Sequence, residues 1–145
     1  MKTWKSITAT AVLAASFLPA GARAQLPAAQ TEGGVEYVSG GFGLDESTAF
    51  KQAIAQWPLA LTFASSGNGT NAYAGDVQVV IRDTQDATVL NVLSQGPYFL
   101  AKIPPGSYEV FATYEGRTQS RKVNIGSSGN THVTFHWKRP ASGPD

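Results

Sequence analysis

His132 and His136 are the only imidazoles in the 145-residue chain. An H-x-x-x-H spacing brings two imidazoles to one zinc ion when it lies on a helix. Here Val133, Phe135 and Trp137 alternate with the polar positions, which is the period of a strand. Residues four apart on a strand share a face but stand about 13 Å apart along it, and zinc–nitrogen bonds are about 2 Å. The pair therefore reads as two surface histidines flanking Thr134, with no metal and no other cofactor expected. Cysteine is absent and Met1 is the single methionine, which excludes thiolate nucleophiles, disulfides and soft copper(I) sites. No Gly-x-Ser-x-Gly elbow occurs. Gly40-Gly41-Phe42-Gly43 lacks the lysine of a phosphate loop. The carboxylate pairs Asp45/Glu46 and Asp83/Asp86 suit a helix start and a turn. No catalytic residue is assigned, and no enzyme activity is expected.

Other residue types fit contact with a partner. Arg117, Gln119 and Arg121 share one strand face, with Lys122 beside them. Such a row resists unwanted sheet-to-sheet pairing, and it can also meet an anionic partner. Tyr73, Tyr98 and Phe111 are aromatic rings that strand parity or loop position leaves available to stack on a sugar, although packing is the commoner use of aromatics. Tyr73, Tyr98, Phe111, Arg117 and Arg121 are thus the candidate contact residues.

These residues must be positioned by a chain that begins with an export pattern. Met1 to Lys5 is short and basic, Ile7 to Leu18 is an apolar run, and Ala22-Arg23-Ala24 is a cleavage site. Residues 1–24 read as a secretory signal peptide. The run falls short of the about 20 residues that span a bilayer, so the chain is not expected to be membrane-spanning. Removing 1–24 takes away Lys2, Lys5 and Arg23 and leaves 8 basic against 10 acidic residues, a formal net charge of −2. That balance argues against a nucleic-acid partner, which calls for a basic patch or stripe.

Residues 25–44 read as a flexible leader and Gly-rich loop, with Val35 to Val38 as a possible short strand. An amphipathic helix follows at 45–57. Asp45 is the expected N-cap, Phe50, Ala53, Ile54 and Trp57 form one apolar stripe, and Pro58 is the stop. From residue 59 to 139 the period changes from 3.6 to 2. Seven short strands are expected, starting near Leu59, Val77, Val89, Tyr98, Tyr108, Thr118 and Thr131, with turn signals between them. Residues 140–145 form a tail. The spacing points to an all-β antiparallel sandwich.

The run Ile103-Pro104-Pro105-Gly106-Ser107-Tyr108-Glu109-Val110 resembles the signature of carboxypeptidase regulatory-like domains, small transthyretin-like (prealbumin-like) sandwiches. Val77 to Asp83 is similar to that family's early strand and turn. Gly96-Pro97-Tyr98-Phe99 stands where its chain enters the strand before the Pro-Gly turn, and Tyr114-Glu115-Gly116 and Val123-Asn124-Ile125 resemble its later hairpin. The resemblance covers residues 59 to 137. It implies a seven-stranded antiparallel transthyretin-like sandwich, here with one short N-terminal helix, and a regulatory, scaffolding or binding role. Two enzyme families share that topology. The carboxyl end, Lys138-Arg139-Pro140-Ala141-Ser142-Gly143, departs from the Tyr-Arg-Gly-Ser ending of hydroxyisourate hydrolases. Arg139-Pro140 also lacks the histidines that follow Arg-Pro in intradiol dioxygenases. The expectation is a periplasmic or secreted bacterial module that binds an envelope protein, with a polysaccharide as the alternative partner.

Overall fold

A computed structural model describes residues 25–67 and 70–138, of which 67 and 70–73 are described through the backbone alone. The expected signal peptide and tail lie outside these residues. The described chain is mostly strand, with one short helix. A six-stranded sheet runs β1 (Gln30–Glu32), β2 (Val35–Gly40), β7 (Tyr98–Lys102), β3 (Leu59–Gly67) and β10 (Thr131–Lys138), and β4 (Thr70–Tyr73) pairs with β3 alongside. A four-stranded sheet runs β6 (Thr88–Ser94), β5 (Val77–Asp83), β8 (Gly106–Tyr114) and β9 (Arg117–Ile125). Among the described residues no helix is long and apolar enough to cross a membrane.

Alternating side chains from both sheets meet between them. Leu59, Leu61, Phe63, Phe99 and Phe135 from one side pack on Val77, Val79, Ile81, Val110 and Ala112 from the other, all buried. Phe63, Phe135 and Trp137 form an aromatic knot with centroids 5.9 to 6.1 Å apart. The hairpin from β8 to β9 closes in two residues, Glu115 (φ 48°) and Gly116 (φ 76°), with Tyr114 opposite Arg117. Two positive φ angles match the right-handed twist of the flanking strands.

The helix, α1 (Leu44–Ala53), continues as a 3-10 turn over Ile54–Gln56. Its apolar stripe lies on the outer face of the six-stranded sheet, where Phe50 and Ala53 pack on Val38, Ala60, Tyr98 and Leu100. The Phe50 and Tyr98 rings stack at 5.6 Å.

Four expectations are corrected. Sequence 25–44 is more than leader and loop: the short strand read at Val35 to Val38 is there as β2, and Gln30–Glu32, read as leader, pairs beside it as β1, while Val35, Tyr37 and Val38 are buried. The strands expected between 59 and 139 are joined by β4, which fills the flank of β3 beyond β7. The sandwich is not wholly antiparallel, since β10 lies parallel to β3 from Thr131↔Leu59 to Lys138↔Ser66. No hairpin ties those two strands, so the direction of approach is free. The helix is capped by Gly43 (φ 87°) and not by Asp45, which stands in the first turn. Glu46 reaches back instead and accepts the Gly41 N–H at 2.7 Å.

Candidate functional site

At one end of the four-stranded sheet, Pro104-Pro105-Gly106 delivers the chain into β8. Tyr108 packs against the core edge and donates its hydroxyl to the Pro104 carbonyl at 2.7 Å. This locks a tyrosine across its own entry turn, as tyrosine corners do in other sandwiches. Opposite, Asp83 organises the turn from β5 to β6 by accepting the Gln85 and Ala87 N–H groups at 2.9 and 3.0 Å. Partial burial, and then the Asp83 carboxylate, push the Tyr108 phenol above its ordinary value.

Between these two turns lies an open cleft of about 480 Å3, lined among others by Asp83, Asp86, Tyr108, Glu109, Lys122 and Asn124. Asp86 pairs with Arg82 at 3.5 Å, and Ser107 donates to Asn124 Oδ1 at 2.7 Å. Glu109 makes no ion pair among the described residues. Hydroxyl, amide, ammonium and carboxylate groups thus line one recess, which suits hydrogen bonding to a polar ligand. No described group of three or more His, Asp or Glu side chains is placed to hold a metal ion.

The basic row of β9 has a structural occupation. Arg117, Gln119 and Arg121 share the parity of buried Val123 and Ile125, so they face the other sheet. Arg117 Nη1 donates to the Lys138 carbonyl and Gln119 Nε2 to the His136 carbonyl, both at 2.7 Å. In return Trp137 Nε1 donates to the Arg117 carbonyl at 3.1 Å. At the other end Thr131 Oγ1 donates to the Asn124 carbonyl at 3.1 Å. These bonds close the seam between β9 and β10, the free edges of the two sheets. Arg121 is exposed and makes no hydrogen bond or ion pair among the described residues.

The aromatic candidates separate. Tyr98 is 3% exposed, held under α1 by its stack on Phe50, and cannot meet a sugar. The expectation of an exposed ring fails there because the helix covers that face of the sheet. Phe111 is half-buried on the outer face of the four-stranded sheet, with the Arg82 guanidinium 5.3 Å from its ring centre. Tyr73 is placed opposite Ala64 by the register of β4, and its side chain is outside the described part. The two histidines stand on the exposed face of β10, opposite Ala60 and Ala64 of β3. His132 Nε2 lies 2.8 Å from Thr62 Oγ1.

Sequence reasoning missed the pairing of Arg82 with Phe111 and the exposure of Phe42, Leu44 and Leu93. The first was readable from parity, since Arg82 and Phe111 fall on outward positions of adjacent strands. The exposure of Leu93 was also readable from the alternation of β6, whereas Phe42 sits in a loop that no period marks. No protein-family model matches the chain, and no curated protein matches it.

Proposed function

We propose that this chain is an exported bacterial module, non-catalytic, that binds or scaffolds a protein component of the cell envelope from a periplasmic or secreted position. Export rests on the order of basic start, apolar run and Ala-x-Ala step in residues 1–24. We read the sandwich as transthyretin-like, of the carboxypeptidase regulatory-like kind. The Tyr108–Pro104 bond supports this, because it gives the Pro-Pro-Gly-x-Tyr step a folding role.

The binding reading is carried by the outer face of the four-stranded sheet. The helix covers part of the other sheet's outer face. Here Val80 and Phe111, directly paired across β5 and β8, stay half-exposed with Arg82 laid on the ring. An aromatic with an arginine on an open sheet is the kind of anchor interfaces favour. The test is capture from native envelope extract, with the mature chain as bait beside a Phe111→Asp bait of equal melting temperature. A recurrent partner lost from the second bait is expected. Equal recovery on both baits removes this face, and blank captures from both remove the reading.

The cleft beside Tyr108 favours a second reading, binding of a polysaccharide, because its hydroxyl, amide and carboxylate groups match sugar hydroxyls. Retardation of the protein in polysaccharide-loaded gels, relieved by Asn124→Ala, is the outcome it requires.

A further inference from the structure

Sheets blunt their edges with charge, shortness or covering, because a bare edge accepts a further strand. Here β9 carries Arg117, Arg121 and Lys122 and is tied by side chains to β10. β1 is three residues long and ends on Glu32. The edge strand β6 has none of this protection. Thr88 to Ser94 contains no charge, no Pro and no Gly, and β5 is its one strand partner among the described residues.

The backbone groups that β6 leaves over can be named. The Gln95 N–H turns away from β5 and donates to Ser39 Oγ of β2 at 3.1 Å, and the Val89 carbonyl faces Gly33 in the turn from β1 to β2. Alternate residues of a strand point their N–H and C=O the same way. Asn91 and Leu93 therefore present two N–H and two C=O groups outward, while Leu90, Val92 and Ser94 serve the ladder to Ile81, Val79 and Val77.

The space beside them is one strand wide. At one side of the sandwich β10 lies against β9, and at the other β2 lies against β6. β1, beyond β2, faces no strand of the second sheet. Gln30 and Glu32 pair with Tyr37 and Val35, which turn into the core, so they stand on the inner face of β1. Yet all of β1 is exposed. A strand added about 4.8 Å beyond β6 lies beneath β1, about 10 Å from it. An antiparallel pair of β6 with β6 of a second copy would bring that copy's β2 to the place β1 fills. Single extended chain fits the step, and a second sandwich does not. Glu32 makes no ion pair among the described residues. The nearest cations are occupied: Arg82 by Asp86 and the Phe111 ring, Lys102 by Glu36 and the Trp57 ring.

We propose that the step between β6 and β1 receives an extended segment of a partner protein, paired to Asn91 and Leu93 and carrying a Lys or Arg where it passes Glu32. This is recognition by strand addition. The proposal rests on the protein-binding reading above and places the partner at this edge, beside the open sheet face.

The test is site-specific photocrosslinking in the full-length chain expressed in its native cell. A benzophenone amino acid replaces Leu93 or, as the probe on the open sheet face, Ser120. The expected result is a polypeptide adduct at 93 that maps to one segment of the partner. A synthetic peptide of that segment should slow amide exchange at Asn91 and Leu93 at least tenfold. Methylating one alternate set of its backbone nitrogens should weaken binding at least tenfold, and methylating the other set should change it little. Leu93→Pro removes an outward N–H that the β5 ladder does not use, and should weaken binding similarly. Glu32→Gln should weaken it severalfold at low salt, with the difference shrinking at high salt. The methylated peptides decide the matter even if Leu93→Pro fails to fold. Equal effects of the two methylated sets, unchanged binding to Glu32→Gln, and adducts to lipid or to a second copy each overturn the proposal. An adduct at 120 with none at 93, or a segment that protects neither amide, overturns it while leaving a protein-binding module in place. Silence at both positions removes both readings.

Discussion

Tyr108 shows how one side chain joins a turn to a sheet. Its hydroxyl holds the Pro104 carbonyl while its ring closes the end of the core. Tyr108→Phe keeps the ring and leaves that carbonyl to water. The expected loss is about 0.5–1.5 kcal/mol in urea unfolding, the usual net worth of one such bond. The same hydroxyl gives a pH signature. Its ionisation is held above the ordinary value by partial burial and by Asp83, so the unfolded chain releases this proton first. Stability is then complete below about pH 10 and falls as pH rises through the folded value. Melting temperatures of the parent should decline more steeply than those of Tyr108→Phe through that alkaline range. Equal slopes would detach the phenol from the effect.

At the scale of elements, α1 is held by a single row of side chains. Phe50 is fully buried against Tyr98, and Ala53 completes the contact. Phe50→Ala should cost about 3–5 kcal/mol in denaturant unfolding, and a loss under about 1 kcal/mol would mean that the helix is dispensable to the sandwich. The seam between β9 and β10 is the second device. Gln119→Ala removes the donor to the His136 carbonyl. Amide exchange in β10 should accelerate, most at residues 135–138, while β5 keeps its protection.

Much of this level was legible in the chain. The 3.6-residue stripe located the helix through Phe50 and Ala53, but the α-helix stops at Ala53, where the expected end was residue 57: Ile54 falls in the 3-10 turn and Trp57 is extended. Alternation located the strands from Leu59 to Trp137. Three things were hidden for physical reasons. The cap went to Gly43 because the entering loop needs a positive φ that Asp45 does not supply. Tyr98 lost its exposure to a helix that lies far from it in sequence. The parity that puts Arg117 and Gln119 on the side of Val123 was visible, but what they meet there is a carbonyl edge, which no side-chain pattern encodes.

For the whole molecule, the two sheets depend on β10. It supplies Phe135 and Trp137 to the interior and receives the side-chain bonds of β9. It also pairs with β3 over eight residues, with the Thr131 N–H bonded to the Pro58 carbonyl at 2.9 Å. A chain ended at Asn130 should lose cooperative unfolding, read as a broad calorimetric transition in place of a sharp one. The candidate contacts divide along the same lines: the cleft and the open sheet face are surfaces that the core does not need. Substitutions at Asn124 or Phe111 can therefore be judged by binding, with melting as the control.

The parallel embrace of β3 by β10 sets an order of events. A polypeptide emerging amino end first from a ribosome or a narrow translocation pore presents Leu59 to Gly67 long before Thr131 to Lys138 has arrived. Until Thr131 to Lys138 is out, one flank of the central ribbon has no mate and the interior stays unsealed. Such a chain remains threadable while Leu59 to Asn130 passes and locks only when β10 arrives.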